Sequence, residues 1–142
     1  MILCCSALRV PYLYYNLLRS EVLVKRILLV DDEKMFFKPI KLYLDGKLKG
    51  TEIISAHDGI EAWGDFQEIH PSLVITDFVM PGWNGLDLAK RIRAKSRKTP
   101  IILMTGYIDD IDVDLSLLVD EVVLKPFDVD SLTSVIKKYL NN

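Results

Sequence analysis

Five short runs of β-branched and other apolar residues recur along this chain, at Arg26 to Val30, Thr51 to Ala56, Leu73 to Thr76, Pro100 to Met104 and Glu121 to Leu124, with starts 21 to 27 residues apart. Nothing else in the sequence constrains the fold as strongly. Each run is nearly all apolar rather than alternating, as expected of a strand covered on both faces. Between successive runs lies enough chain for a helix, the kind of crossover a parallel neighbour needs, and such crossovers are right-handed. The rhythm predicts an α/β fold: a doubly wound, five-stranded parallel sheet with helices on both faces.

The intervening helices are uneven. Leu86 to Lys95 follows the turn-forming Pro81-Gly82-Trp83-Asn84-Gly85, in which Gly82 and Gly85 read as turn glycines. Val129 to Leu140 sets Leu132, Val135, Ile136 and Tyr139 on one face, with Asp128 or Asp130 as its cap. Pro39 interrupts the first helical segment, Phe36 to Leu44, so that helix is expected to start late or kink. The fourth crossover, Tyr107 to Asp120, is the poorest helix of all, because aspartates in mid-helix compete for the backbone.

In such a sheet functional groups gather at the carboxyl ends of the strands. Those ends carry Asp31-Asp32-Glu33, Asp77, Thr105-Gly106 and Lys125-Pro126. Three carboxylates brought together repel one another unless a cation neutralises them. Oxygen ligands without His or Cys suit Mg²⁺. A carboxylate beside such a cation can act as the nucleophile of phosphoryl transfer, with Lys125 spreading charge and Thr105 donating its hydroxyl. Singly, each aspartate reads more readily as a strand-end carboxylate capping the next helix; only all three together with Thr105 and Lys125 favour the chemical reading. His57 and His70 fall away from this group, and Trp83 reads as a cover over apolar surface beside it.

A chain of 142 residues with a net charge of -2 holds one domain and no basic field, so direct nucleic-acid binding is not expected. The adjacent Cys4 and Cys5 cannot frame a disulfide scaffold, which fits a cytoplasmic protein. No apolar run reaches the roughly 20 residues of a membrane span. Residues 1–24 read as a leader, either an inert extension from an upstream start or a functional helix, and 25–142 as the domain. Within the leader Leu13, Tyr14, Leu17, Leu18 and Val22 make one apolar stripe, able to pack on the domain, pair two chains as a homodimer, or lie on a membrane surface.

Four separated motifs carry a resemblance: Arg26-Ile27-Leu28-Leu29-Val30-Asp31-Asp32-Glu33; Val74-Ile75-Thr76-Asp77 followed by Met80-Pro81-Gly82; Met104-Thr105-Gly106; and Val123-Leu124-Lys125-Pro126-Phe127. In this order they resemble the receiver domains of bacterial two-component response regulators, over residues 25 to 140. The resemblance implies a flavodoxin-like strand order, 2-1-3-4-5. It implies that Asp77 accepts a phosphoryl group from a histidine kinase or histidine phosphotransfer protein, assisted by Lys125 and Thr105. It further implies Mg²⁺ bound directly by Asp32 and Asp77, through water by Asp31, and by the Val79 carbonyl. A cis Lys125-Pro126 bond belongs to the same pattern. Such a protein is a signalling switch, catalysing only its own phosphorylation and dephosphorylation. Because the chain stops after the last helix, a separate output protein is expected.

Two places depart from that pattern. Val122 stands where receivers carry an aromatic switch residue, and the segment before the fifth run lacks the usual Gly-Ala step. Three other readings remain open at this level. A haloacid-dehalogenase-type phosphatase would need a second carboxylate where Val79 stands; a nucleotide or flavin binder would need a Gly-rich loop after the first strand. The third is a receiver that docks without being phosphorylated.

Overall fold

The computed structural model describes residues 24–109, 111 and 113–141. The leader expected at residues 1–24 thus lies, except for Val24, outside the described residues. Five parallel strands, β1 (Lys25–Val30), β2 (Thr51–Ala56), β3 (Leu73–Asp77), β4 (Ile101–Thr105) and β5 (Glu121–Leu124), form one sheet in the order β2-β1-β3-β4-β5. Every adjacent pair is parallel. The expected strands are all present, displaced by at most one residue at an end.

Four helices cover the sheet: α1 (Lys34–Lys47), α2 (Gly59–Ile69), α3 (Gly85–Lys95) and α4 (Val129–Leu140). Though the runs are nearly all apolar, their side chains still sort by alternation. Ile27, Leu29, Ile75, Ile102 and Met104 share one core with α1 and α4. Leu28, Val30, Val74, Ile101 and Leu103 share the other with α2 and α3. Full burial of such a side chain contributes roughly 1.5–3 kcal/mol, which explains why a sheet covered on both faces tolerates so few polar residues.

The first helix corrects the expected late start. It starts at Lys34, ahead of Pro39, and runs on through it to Lys47. The Phe36 and Phe37 amides already bond to the Glu33 carbonyl, so the first turn is closed before the proline is reached. Pro39 removes one later bond, and the burial of Phe37, Ile40 and Leu44 offsets that loss. Elsewhere the caps are local. Asp58 accepts from the Glu61 amide to open α2, Asn84 forms a reciprocal capping box with Asp87 at α3, and Asp128, not Asp130, caps α4. In the fourth crossover the described residues form only a single 3-10 turn, Leu115–Leu117, in line with its weak helical sequence. No helix among the described residues is long and apolar enough to cross a membrane.

Candidate functional site

Three carboxylates gather at the ends of two strands, β1 and β3, because each strand stops where its polar motif begins. Asp31 follows β1 and is completely buried, its Oδ1 accepting from the Glu33 amide at 2.9 Å. Asp32, next in the chain, is exposed. Asp77 is the last residue of β3 and 7% exposed. One carboxylate oxygen from each of Asp31, Asp32 and Asp77 lies within 4.8 Å of the others. Lys125 enters from the end of β5, anchored by its own amide bonding to the Thr105 carbonyl at 2.8 Å. Its Nζ stands 3.2 Å from Asp77 and 3.7 Å from Asp31. The Lys125-Pro126 peptide is cis.

Burial, above all, pushes the Asp31 carboxyl up from 3.8 to about 6, with Asp77 and Asp32 adding repulsion against the Glu33 amide and Lys125. Burial likewise raises Asp77, more than Lys125 lowers it. Three acids facing one ammonium leave an excess of negative charge. Asp31 Oδ2 is buried and has no hydrogen-bond partner, the condition that a bound cation relieves. All-oxygen donors fit a hard divalent ion such as Mg²⁺.

An open cavity of about 580 Å³ faces this group, with Asp32, Asp77 and Lys125 on its floor and Val79 and Tyr107 on its rim. Val79 is 62% and Tyr107 67% exposed. Thr105 is nearby at the end of β4 but is buried and does not line the cavity. Its hydroxyl accepts from the Tyr107 amide at 3.1 Å, leaving its proton free for another acceptor. His57 and His70 stand outside the cavity.

Several contributors were not evident as such from the sequence. Phe36 and Phe127 meet edge to face with centroids 6.2 Å apart, and Lys125 Nζ lies 5.1 Å from the Phe36 ring centre. They form an apolar wall beside the ammonium. Gly85 is more than a turn residue. It opens α3 directly against the Asp77 backbone, with no room for a side chain. Trp83 does not simply cover apolar surface: the Arg91 guanidinium lies 3.8 Å from its ring centre, and its Cβ presses on Gly59.

The strand order and the acidic pocket at the switch of crossover direction define a receiver-type signalling fold. Residues 27–137 match the response regulator receiver domain family, and the chain belongs to it. It is 34% identical over 122 residues to the DNA-binding response regulator MtrA of Mycolicibacterium smegmatis, covering 84% of this chain and 52% of that protein. The chain thus spans about half the length of that relative. Among solved structures it resembles the response regulator TrrA of Thermotoga maritima in complex with Mg(2+)-BeF, at 39% identity and a TM-score of 0.69, covering 81% of this chain and 98% of that one. It also resembles the signal receiver domain of a putative LuxO repressor protein from Vibrio parahaemolyticus, at 25% identity and a TM-score of 0.76, covering 84% and 92%. As a receiver domain the protein is a signalling switch rather than a metabolic enzyme.

Proposed function

We propose that this receiver accepts a phosphoryl group on Asp77 from the phosphohistidine of a histidine kinase or histidine phosphotransfer protein, in a Mg²⁺-dependent reaction. The observation that carries this reading is Asp77 itself: a nearly buried carboxylate 3.2 Å from the Lys125 ammonium and grouped with two further acids.

In the proposed reaction an Asp77 carboxylate oxygen forms the new bond to phosphorus as the phosphorus–nitrogen bond of the donor breaks. The electron pair leaves with the imidazole nitrogen. Asp31, Asp32, Asp77 and the Val79 carbonyl are the ligands assigned to the metal. When bound, Mg²⁺ supplies charge neutralisation for the acids and for the incoming phosphoryl oxygens. Lys125, held by its backbone bond to Thr105 and walled by Phe36, places a fixed positive charge beside the acceptor. The Thr105 hydroxyl donates to a phosphoryl oxygen, and its bond from the Tyr107 amide links that event to the rim. The relative TrrA, solved with Mg(2+)-BeF, supports the same ligand chemistry. The phosphorylated domain passes its signal to an output partner by a conformational change.

The test is incubation with acetyl phosphate and Mg²⁺ followed by intact-mass measurement. One added phosphoryl group is expected for the wild type and none for Asp77→Asn or without the metal. Labelling of Asp77→Asn at the wild-type rate sinks the assignment.

A further inference from the structure

At the end of the sheet opposite the acidic cavity, an open pocket of about 450 Å³ lies between the start of β1, the end of α1 and the end of α4. Lys25, Lys47, Lys49 and Lys137 all line it, and among the described residues no carboxylate does. The chain carries a net charge of -2, so these four ammonium groups invert its overall sign locally. The nearby cations Arg26, Lys41 and Lys138 are matched to Glu52, Asp45 and Glu121. None of the four pocket lysines makes a salt bridge among the described residues.

Helix ends account for part of this charge. Both α1 and α4 finish here, and each C-terminus carries roughly half a negative charge that favours lysine in the last turn. The Lys25 ammonium also donates to the Leu140 carbonyl, and Lys47 lies 5.5 Å from the Tyr43 ring centre. Two helix ends offset about one of the four positive charges, which leaves a positive excess among the described residues.

We propose that this pocket binds a multiply charged phosphate anion, a chain of two or three phosphoryl groups, free or carried by a nucleotide. Its volume falls in the range of small-molecule sites. Ammonium groups bind phosphate oxygens as point charges, and the Thr51 hydroxyl and Asn141 amide on the pocket wall add uncharged donors. A single exposed ammonium contributes little, so recognition rests on the four lysines that line the one pocket. A ligand with one charge is therefore held poorly and one with three or four is held well. This site is independent of phosphorylation at Asp77, since its residues lie at the opposite end of the strands.

The experiment is an amide NMR titration of the full chain, in Mg²⁺-free buffer of low ionic strength, with inorganic tripolyphosphate and separately with ATP. Saturable shifts at Lys49, Gly50, Thr51 and Asn141 are expected with both. Similar affinities assign recognition to the phosphate chain, and tighter ATP adds a contact from the nucleoside. Lys49→Glu combined with Lys137→Glu, both exposed positions, should weaken binding tenfold or more while leaving acetyl phosphate labelling of Asp77 unchanged. Shifts that never saturate, shifts confined to Asp77 and Lys125, or undiminished binding by the double variant would overturn the proposal.

Discussion

Gly85 and Asp77 touch through their backbones: a Cβ at position 85 would stand 2.3 Å from the Asp77 carbonyl oxygen and 2.9 Å from Leu103 Cδ1. The first residue of α3 is therefore packed directly on the backbone of the proposed phosphoacceptor. A carbonyl oxygen in a sheet cannot rotate aside, so Gly85→Ala must displace β3 or α3. We expect a loss of about 1–3 kcal/mol in stability from overpacking. Phosphorylation should slow by an order of magnitude or more, because the acceptor leaves its productive position. Chemical denaturation and initial labelling rates with acetyl phosphate check both effects, and wild-type values for the variant contradict the contact.

The acidic site should oppose folding in metal-free buffer as pH rises. Asp31 titrates at about 6 in the folded chain against 3.8 ordinarily, so the folded state holds its proton the more tightly. Its stabilising contribution is complete below the unfolded value and is lost as pH climbs through the folded one. A shift of that size corresponds to about 3 kcal/mol across the window. Asp31→Asn should flatten this dependence, leaving the part due to the raised Asp77, and melt higher than the wild type at neutral pH without metal. Equal slopes of stability against pH for the two proteins argue against a buried, strained Asp31.

Asp32 tests the cation. Asp32→Asn removes an exposed member of the acidic group, so Mg²⁺ affinity and labelling should both fall sharply. In chelator the same change relieves repulsion and should raise the melting temperature. A lower midpoint for the variant speaks against a shared acidic site.

The lifetime of the phosphoryl group depends on the rim. Hydrolysis needs a water held in line with phosphorus. Val79 has no group to hold one, and the exposed Tyr107 ring stands over the cavity mouth. Slow self-dephosphorylation is expected, with faster decay on Val79→Asn combined with Tyr107→Glu. Following decay after donor removal distinguishes them; identical lifetimes refute the rim's role.

The domain is proposed to begin at Lys25, since all strand and site residues lie beyond that point. A shortened chain starting there should fold and label like the full chain. A fall in solubility or a change from dimer to monomer, seen by light scattering, shows instead that Leu13, Leu17 and their neighbours bury surface.

Much of the fold was legible because burial leaves a local trace. A strand covered on both faces is apolar at nearly every position, so the five runs announced a parallel sheet, and the polar residues at the ends of β1, β3, β4 and β5 marked where the site would form. The motifs around Asp31, Asp77, Thr105 and Lys125 carried the family for the same reason: each is a short contiguous string at a strand end. The start of α4 and the weakness of the fourth crossover were equally local, set by the Asp128 cap and by helix propensity.

Other features depend on distances between residues far apart in the chain, which periodicity does not record. Pro39 predicts a delayed helix by itself, yet the packing of Phe37, Ile40 and Leu44 on the sheet carries α1 through it. The closeness of Gly85 to Asp77 arises from how α3 sits on β3 and β4, and Gly85 alone looks like any turn glycine. The unpartnered Asp31 oxygen and the Lys125 contact follow from strand register across the sheet. The lysine pocket joins residues 25, 47–49 and 137 only because two helix ends and a strand start meet at one edge. Sequence by itself determined which segments are buried and which chemistry they carry; the tertiary structure decided which charges meet, since electrostatic and steric energies depend on separations that only the packed chain defines.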